Sequence, residues 1–250
     1  MPVQPLETIS IKFGRPQEPS ADIILKRLPE SYLHAVANTF RLMAYNSSLY
    51  DLSDPGTASQ VNRSFKVPAK YPPSVQAIAL DCEIGTAKSG NSELIRLTAV
   101  DFFTLEPLID TLVQPNVPKQ HYNTRYSGVT AAAMREAVKE KSCLFGRNAA
   151  RKELMKLISM DTIVVVHGGH NDFSALRWSH PAVIDTFILE GYRGEIKCGR
   201  SLKALCSGLL NIDIQKGKGH DSYEDAVACR ELVHHWTEMI PVGSATRKSA

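Results

Sequence analysis

Five side chains in three separate stretches of the 250-residue chain could together carry out metal-dependent chemistry. Asp81 and Glu83 lie in AIALDCEIG, Asp172 follows the apolar run TIVVVHGG, and His220 and Asp225 lie in KGHDSYEDA. Each stretch ends an apolar segment or begins a helical one, so we expect the carboxylates to converge in a cleft. Carboxylates that hold divalent cations in a cleft are what metal-dependent cleavage of a phosphodiester requires. The pattern therefore predicts a nuclease.

The first two carboxylates form a pair on one strand. Residues i and i+2 of a strand point to the same face, so Asp81 and Glu83 lie side by side at the end of an apolar segment. Two such groups repel each other and resist the loss of water, and a divalent cation removes both problems. Oxygen ligands favour Mg²⁺ or Mn²⁺ over zinc. For this pair alone, it is equally open that the strand ends here and both acids reach water.

The other two carboxylates also have structural explanations. Asp172 follows two glycines at the start of a predicted helix, where the helix dipole by itself favours an acid. Asp225 lies in the first turn of another predicted helix, where Ser222 with Asp225, or Asp221 with Glu224, could form a capping box. Each acid taken singly is therefore a weak signal.

A histidine precedes the last of these helices. His220 lies in a loop with Gly217 and Gly219, which we expect to be mobile, so substrate binding could bring the imidazole into the site. A loop histidine close to a bound metal ion can accept a proton from water.

The composition is typical of a soluble globular protein, with 43% hydrophobic and 22% charged residues. No apolar run approaches the roughly 20 residues of a membrane span, and the N-terminus lacks the pattern of a secretory signal. The five cysteines are odd in number and form no CxxC pair, which favours reduced thiols in an intracellular protein. We expect no membrane association.

Positive charge is concentrated locally although the net charge is only +3. Between Arg193 and Lys218 the chain has six basic and two acidic residues. A basic strip beside an acidic metal centre would let a polyanion dock. For a second cluster we favour a solvated helix face; it comprises Arg147, Arg151, Lys152 and Lys156.

The chain divides into three parts. Residues 1–72 contain several prolines, a helical pattern over 31–52 and a proline-rich linker, which predicts a small helical arm or lobe. Residues 73–240 form the main domain, and residues 241–250 are predicted to be a disordered tail.

The main domain begins with strands and continues with alternating helices and strands. Three predicted strands over 75–83, 93–103 and 107–115 are closely linked and should form an antiparallel meander. Four helical patterns and two strand patterns follow, at 143–160, 171–178, 201–210 and 222–236, and at 161–169 and 182–187. This order predicts an α/β fold with a mixed sheet flanked by helices.

The three acidic blocks, in this order along a strand-first domain, resemble the DEDDh exonucleases. Five stretches are similar to the Rex-type RNA exonucleases and the related interferon-stimulated 3′ exonuclease: YNTRYSGVT, VVVHGGHNDFSAL, IDT, SLKALCSGLL and IQKGKGHDSYEDA. The resemblance covers about residues 75–237. It implies an RNase H-like (DnaQ-like) fold and 3′-to-5′ hydrolysis of RNA to nucleoside 5′-monophosphates. One departure is Val166, because the family commonly has glycine before the histidine of the second block; this puts the fit of the terminal nucleotides in doubt.

The resemblance also implies roles for the five residues. Asp81, Glu83, Asp172 and Asp225 would ligate two Mg²⁺ or Mn²⁺ ions, and His220 would be the general base. We expect Asp81 to bridge ions roughly 3.5–4 Å apart, with Glu83 and Asp225 completing one site and Asp172 supporting the other. His220 would take a proton from water, and the hydroxide would attack the last phosphodiester.

Further residues are candidates for contact with the substrate: Ile84, Gly85, Tyr126, Ser127 and Phe173. The expected partner is the 3′ end of single-stranded RNA, and the N-terminal arm has no identified protein partner. A DNA 3′ exonuclease of the same fold is the closest alternative, and a non-catalytic nucleic-acid-binding module is a further one. The nucleus, including the nucleolus, and the cytoplasm are both compatible with the sequence.

Overall fold

The computed structural model describes residues 24, 27–28, 75–159, 161–178, 180, 182–193, 199–217 and 219–239. The predicted arm, apart from three residues, and the predicted tail lie outside this set, as does the domain boundary at residue 72. Two of the three arm residues, Ile24 and Leu28, are buried in the main hydrophobic core. The third, Arg27, donates a hydrogen bond from Nη1 to the carbonyl oxygen of Thr237 at 3.5 Å.

The described residues contain a seven-stranded mixed sheet with the order β5-β3-β2-β1-β6-β7, in which β4 pairs with the end of β1. The strands are β1 (Ala77–Ala87), β2 (Ser92–Asp101), β3 (Pro107–Gln114), β4 (Lys119–His121), β5 (Leu144–Phe145), β6 (Ile163–Val166) and β7 (Val183–Asp185). The strands β1, β2 and β3 pair antiparallel, which confirms the predicted meander. The strands β6 and β7 continue the sheet in parallel.

Seven α-helices accompany this sheet within the described residues. They are α1 (Thr124–Ser127), α2 (Ala131–Glu140), α3 (Gly146–Leu157), α4 (His170–Leu176), α5 (Thr186–Arg193), α6 (Leu202–Leu205) and α7 (Ser222–Glu238). A π-helical turn over Cys206–Leu210 continues α6. The predicted α/β architecture, a mixed sheet flanked by helices, is confirmed.

Element boundaries differ from the prediction in three places. The helices α1 and α2 were not predicted. The predicted helix over 143–160 begins only at Gly146, because Leu144–Phe145 pair with the edge strand β3. The predicted strand over 182–187 ends at Asp185, whose carboxylate accepts a hydrogen bond from Phe187 N at 3.0 Å and so begins α5.

The long helix α7 packs across β1 and β2 and fixes the site from one side. Its apolar face is buried in the main core, including Leu232, Val233 and Trp236. Full burial of a large apolar side chain stabilises the fold by about 1.5–3 kcal/mol. This burial anchors α7 on the sheet.

Among the helices of the described residues, none is long and apolar enough to cross a membrane.

Candidate active site

Strand β1 carries the first two carboxylates of the candidate site. Asp81 lies opposite Thr98 and Glu83 lies opposite Arg96 in the antiparallel pairing with β2. Asp81 is half-buried, whereas Glu83 is 7% exposed. Its Oε1 is buried and has no hydrogen-bond partner among the described residues. Glu83 therefore does not simply reach water at the end of a strand.

The third carboxylate is joined directly to this strand. Asp172 lies in the first turn of α4 after two glycines, as predicted. Its Oδ1 accepts a hydrogen bond from Cys82 N at 2.8 Å. The parallel pairing of β1 with β6 ends at Ala79, so the N–H of Cys82 lies beyond the residues of β1 that pair with β6. Asp172 therefore does more than complement the helix dipole, since it is bound to β1 between the two acidic residues of that strand.

A buried aspartate that sequence reasoning did not place in the site holds the turn before Asp172. The carboxylate of Asp185, at the end of β7, accepts hydrogen bonds from Gly168 N at 2.8 Å and Gly169 N at 2.9 Å. Its only signal in the sequence is the short stretch IDT. Asp185 thereby links β7 to the start of α4.

The fourth carboxylate lies in the first turn of α7. Asp225 is 4% exposed, and Asp221 caps the helix by accepting a hydrogen bond from Tyr223 N at 3.1 Å. Glu224 accepts a hydrogen bond from Gln215 N at 2.9 Å. Asp221 therefore fills the capping role, and the carboxylate of Asp225 is available to the site.

The side chain of Gln215 orients Asp225. Its Nε2 donates to Oδ1 at 3.0 Å and to Oδ2 at 2.9 Å of the carboxylate. The backbone of Gln215 is itself held, by Glu224 at the nitrogen and by Lys203 Nζ at the carbonyl oxygen, 3.1 Å away. Gln215 lies within the stretch IQKGKGHDSYEDA, but nothing in the spacing showed that it contacts Asp225.

An arginine behind the site connects three elements. Arg96 on β2 donates to both carboxylate oxygens of Asp110 on β3, at 2.9 and 3.0 Å. Its Nη1 lies 3.0 Å from Oδ1 of Asp221, the cap of α7. Arg96 lies opposite Glu83, and its charge opposes the rise in the pKa of that carboxyl that burial causes. Only the register of β1 with β2 reveals this role.

The histidine stands beside the fourth carboxylate. His220 has a 47% exposed side chain, and its Nδ1 lies 3.5 Å from Oδ2 of Asp225. Its backbone N–H donates to the carbonyl oxygen of Tyr126 at 2.5 Å. The hydrogen bond to Asp225 is the largest cause that raises the pKa of His220. The ring is thus a better proton acceptor than an isolated imidazole.

The carboxylates influence one another electrostatically. Burial raises the pKa of Asp81 well above its usual value, and the charges of Asp172, Asp225 and Glu83 raise it further. Burial, followed by the charge of Asp225, raises the pKa of Glu83 to about 8. Burial raises the pKa of Asp172 to about 7, although the hydrogen bond from Cys82 opposes this shift. The structure therefore brings the predicted carboxylates into one another's field, which the charge of Arg96 offsets only in part.

The donor set fits a divalent cation that prefers oxygen. Within the described part of the chain, no three His, Cys, Asp or Glu side chains stand arranged as ligands of one ion. Protein donors engage oxygens of Asp172 and Asp225, while Glu83 Oε1 is buried without a donor. Four carboxylates and an unpartnered buried oxygen suit Mg²⁺ or Mn²⁺. The arrangement of two ions stays a prediction.

Three of the predicted substrate residues differ in how far they are exposed. Tyr126 is 64% exposed, and the Arg125 guanidinium lies 5.9 Å from the centre of its ring. Ile84 is half-buried. Gly85 is buried, and a Cβ there would lie 3.1 Å from the carbonyl oxygen of His121. Its close approach is therefore to β4.

The other two predicted substrate residues are enclosed by protein. Ser127 is buried, donates to the carbonyl oxygen of Tyr122 at 2.7 Å and accepts from Val129 N at 3.1 Å. Phe173 is fully buried and stacks on Trp178 with ring centres 5.1 Å apart. As placed, Ser127 supports the turn after α1 and Phe173 fills the core.

The basic strip is partly neutralised by local partners. Arg200 Nη2 lies 2.6 Å from Glu190 Oε1, and Lys216 Nζ lies 3.4 Å from Asp213 Oδ2. Lys203 is exposed, and its charge lowers the pKa of His220. The strip thus presents a cation next to the histidine. The side chains of Arg193, Lys197 and Lys218 lie outside the described set.

In the second basic cluster, Arg147 pairs with Glu93 and Lys156 pairs with Glu153. Arg151 donates to the carbonyl oxygen of Arg177 at 2.9 Å. The solvated helix face that we favoured therefore holds for Lys152 and Lys156, which are exposed, but not for Arg147, whose side chain is only 11% exposed in its pair with Glu93.

Comparison with profiles of known protein families finds no match. Individual proteins are similar to the chain. RNA exonuclease 1 of Saccharomyces cerevisiae is 38% identical over 154 residues, which are 62% of this chain and 26% of that protein. Apoptosis-enhancing nuclease of Homo sapiens is 36% identical over 186 residues, which are 71% of this chain and 54% of that protein. The chain thus spans between about a quarter and about half of these two relatives.

Solved structures of Pan2 have the same fold. The catalytic unit of Neurospora crassa Pan2, with its protease and nuclease domains, matches 68% of this chain and 28% of its own, with a TM-score of 0.58 and 26% identity. The Saccharomyces cerevisiae Pan2 pseudoubiquitin hydrolase–RNA exonuclease module in complex with AAGGA RNA also matches 68% of this chain and covers 30% of its own, with a TM-score of 0.57 and 26% identity. The described domain therefore has an RNase H-like fold, and the homologues of the chain are Rex-type RNA exonucleases and apoptosis-enhancing nuclease.

Proposed function

We propose that this chain is a 3′-to-5′ exoribonuclease that releases nucleoside 5′-monophosphates from the 3′ ends of single-stranded RNA. The observation that carries the proposal is electrostatic: the charges of Glu83, Asp172 and Asp225 all raise the pKa of Asp81, after burial, although the four acids come from β1, α4 and α7. Burial raises the pKa of Asp81, Glu83 and Asp172, and the charges of other members of the set raise it further for Asp81 and Glu83. His220 lies beside Asp225. The names of the relatives support RNA as the substrate.

The four carboxylates would hold two Mg²⁺ or Mn²⁺ ions. When bound, such ions neutralise the carboxylates and supply positive charge at the scissile phosphate. The residues of the chain orient this centre, since Gln215 holds Asp225 and the amide of Cys82 holds Asp172.

His220 supplies proton transfer. Asp225 orients its ring and raises its pKa, so its imidazole accepts a proton from a water molecule in the cleft. The hydroxide formed attacks the phosphorus of the last phosphodiester, the bond to the 3′ oxygen of the preceding nucleotide breaks, and that oxygen takes up a proton from solvent water. The products are a nucleoside 5′-monophosphate and an RNA shortened by one residue with a free 3′ hydroxyl.

The substrate contacts are proposed from exposure and charge. Tyr126 offers an exposed ring on which a base can stack, and Lys203 offers a cation for the backbone. Ile84 is the other predicted contact that retains some exposure. RNA is distinguished from DNA through contact with a 2′ hydroxyl.

The test is the product ladder from RNA labelled at either end, with Mg²⁺, Mn²⁺ or EDTA, and from DNA of the same sequence. We expect nucleoside 5′-monophosphates from RNA, no cleavage in EDTA, and slower cleavage of DNA. Asp81→Asn should abolish cleavage because it removes a ligand charge, with an unchanged circular dichroism spectrum. Asp161→Asn, a matched substitution outside the site, should cleave normally.

If purified Asp81→Asn turned over RNA at nearly the wild-type rate, the carboxylates would not be the metal ligands that cleavage requires. Faster cleavage of DNA than of RNA would replace the RNA assignment with that of a DNA exonuclease. Tight RNA binding without cleavage under any metal condition would indicate a binding module.

A further inference from the structure

Two glycines from distant parts of the chain meet behind His220. Gly128 follows α1 with φ +66°, and Gly219 precedes the histidine with φ +101°. A Cβ on Gly219 would lie 2.5 Å from Gly128 N and 2.6 Å from its Cα. A Cβ on Gly128 would lie 2.8 Å from the carbonyl oxygen of His220. The two backbones therefore touch at a separation that excludes any side chain at either position.

A hydrogen bond completes this contact. The backbone N–H of His220 donates to the carbonyl oxygen of Tyr126 at 2.5 Å. Since the atoms on both sides belong to the backbone, they cannot move aside as the end of a flexible side chain could. The segment over 219–220 is thus seated on the segment over 126–128.

The receiving turn is internally braced. Ser127 Oγ donates to the carbonyl oxygen of Tyr122 and accepts from Val129 N. Thr124 Oγ1 donates to the carbonyl oxygen of Val129 at 2.7 Å. The turn can therefore serve as a fixed support for the histidine loop.

We propose that Gly128 and Gly219 are positioning residues that hold the imidazole of His220 against Asp225. The inference rests on the proposed function, because it assigns these glycines a role in proton transfer through His220. The contact locks the backbone of His220 while leaving its side chain 47% exposed, so the ring stays open to the cleft. Gly219 is thereby a docking residue in the loop that we expected to be mobile.

The first test is a double-mutant cycle on the full chain. His220→Ala should lower kcat about 10²-fold. Gly128→Ala and Gly219→Ala should each lower kcat at least about 10-fold, because a displaced imidazole loses most of this contribution. Neither glycine substitution should lower kcat further in the His220→Ala background. Equal losses of kcat with and without His220 would overturn the proposal, as would a wild-type kcat for Gly128→Ala.

A matched control separates this effect from backbone strain. Gly90 has φ +87°, and a Cβ there would meet no atom within 4 Å. Gly90→Ala imposes a similar positive-φ strain without a clash, so its kcat should equal that of the wild type. A loss of kcat in Gly90→Ala as large as that in Gly128→Ala would also overturn the docking role.

The second test does not depend on catalysis. Hydrogen–deuterium exchange of the His220 amide should be at least about 10-fold faster in Gly128→Ala than in the wild type, while the amides of α7 exchange at wild-type rates. Unchanged exchange at His220 would contradict the docking contact. An inactive wild type with this exchange pattern would instead overturn the proposed function and leave the docking contact supported.

Discussion

At the residue scale, the site is organised around carboxylates that the fold leaves short of positive charge. Glu83 shows this most clearly, because one of its oxygens is buried without a partner among the described residues and its pKa is raised to about 8. A folded protein that raises the pKa of an acid is less stable when that acid is charged. Cations that bind these carboxylates and neutralise them should therefore stabilise the folded state.

Glu83 predicts an unusual dependence of stability on pH. Between its ordinary pKa of 4.5 and about 8, the folded state binds more protons than the unfolded state. The free energy of unfolding of the metal-free protein should therefore decrease by a few kcal/mol as pH rises through this range. Asp172 acts in the same direction up to about pH 7. The measurement is urea denaturation with EDTA at pH 5, 6.5 and 8.

Glu83→Gln is the control for this behaviour, since it cannot ionise. The variant should be more stable than the wild type at pH 8 and should lose less stability between pH 5 and pH 8. Adding Mn²⁺ should stabilise the wild type most at pH 8, where the carboxylates are charged. Identical pH profiles for the variant and the wild type would show that Glu83 is not a strained acid.

At the scale of elements, the proposed catalytic side chains are placed by the ends of strands and the starts of helices. Asp172 follows β6, and the turn that carries it is held from β7 by the carboxylate of Asp185. Arg96 on β2 holds the start of α7 in a similar way, because it forms an ion pair with Asp221, the cap residue of that helix. The geometry of the site therefore depends on these two contacts between elements as well as on the carboxylates themselves.

Asp185→Ala should weaken both the fold and the activity. The carboxylate is 3% exposed and accepts hydrogen bonds from the amides of Gly168, Gly169 and Phe187. Its loss leaves buried donors unsatisfied, which should cost about 3 kcal/mol in the free energy of unfolding. The activity should fall at least about 10-fold because Asp172 is no longer held. Urea denaturation and turnover on RNA measure the two effects.

Asp101 provides the matched comparison. Its carboxylate accepts hydrogen bonds from the amides of Phe103 and Thr104, both at 2.8 Å, in the turn between β2 and β3. Asp101→Ala should lower stability by about 1 kcal/mol and leave turnover unchanged. If Asp185→Ala loses no more stability than Asp101→Ala and cleaves RNA normally, the joint between β7 and α4 does not position Asp172.

At the scale of the whole molecule, an acidic centre lies beside a source of positive charge. Of the basic strip over 193–218, Arg200 and Lys216 are paired with acids. Lys203 is exposed, and its charge opposes the rise in the pKa of His220 that the hydrogen bond to Asp225 causes. A polyanion that enters the site would therefore meet this cation beside His220, the proposed general base.

Lys203→Ala should raise KM for RNA more than it lowers kcat, because its contact with the RNA backbone contributes to binding while its bond to the carbonyl oxygen of Gln215 supports Asp225 only indirectly. The slope of log KM against log salt concentration should fall by about 1. Lys156→Ala, which removes a lysine paired with Glu153 on α3, should leave both the KM and the slope at their wild-type values. Equal effects of the two substitutions on KM and on the slope would show that Lys203 does not contact the RNA.

The sequence by itself determined the parts of the site that depend on near neighbours. The alternation of side chains on a strand placed Asp81 and Glu83 together, and two glycines after an apolar run placed Asp172 at a helix start. The same local signals placed Asp225 in the first turn of α7, and closely linked strands predicted the meander. These features could be predicted because periodicity and turn chemistry act over a few residues.

Only the tertiary structure decided how these parts meet. The pairing of Leu144–Phe145 with β3, the bond from Cys82 N to Asp172 and the contact of Gly128 with Gly219 join residues far apart in the chain. The register that sets Arg96 opposite Glu83 belongs to the same class. Such contacts depend on strand register and on the packing of α7 across the sheet, and no local pattern encodes either of them.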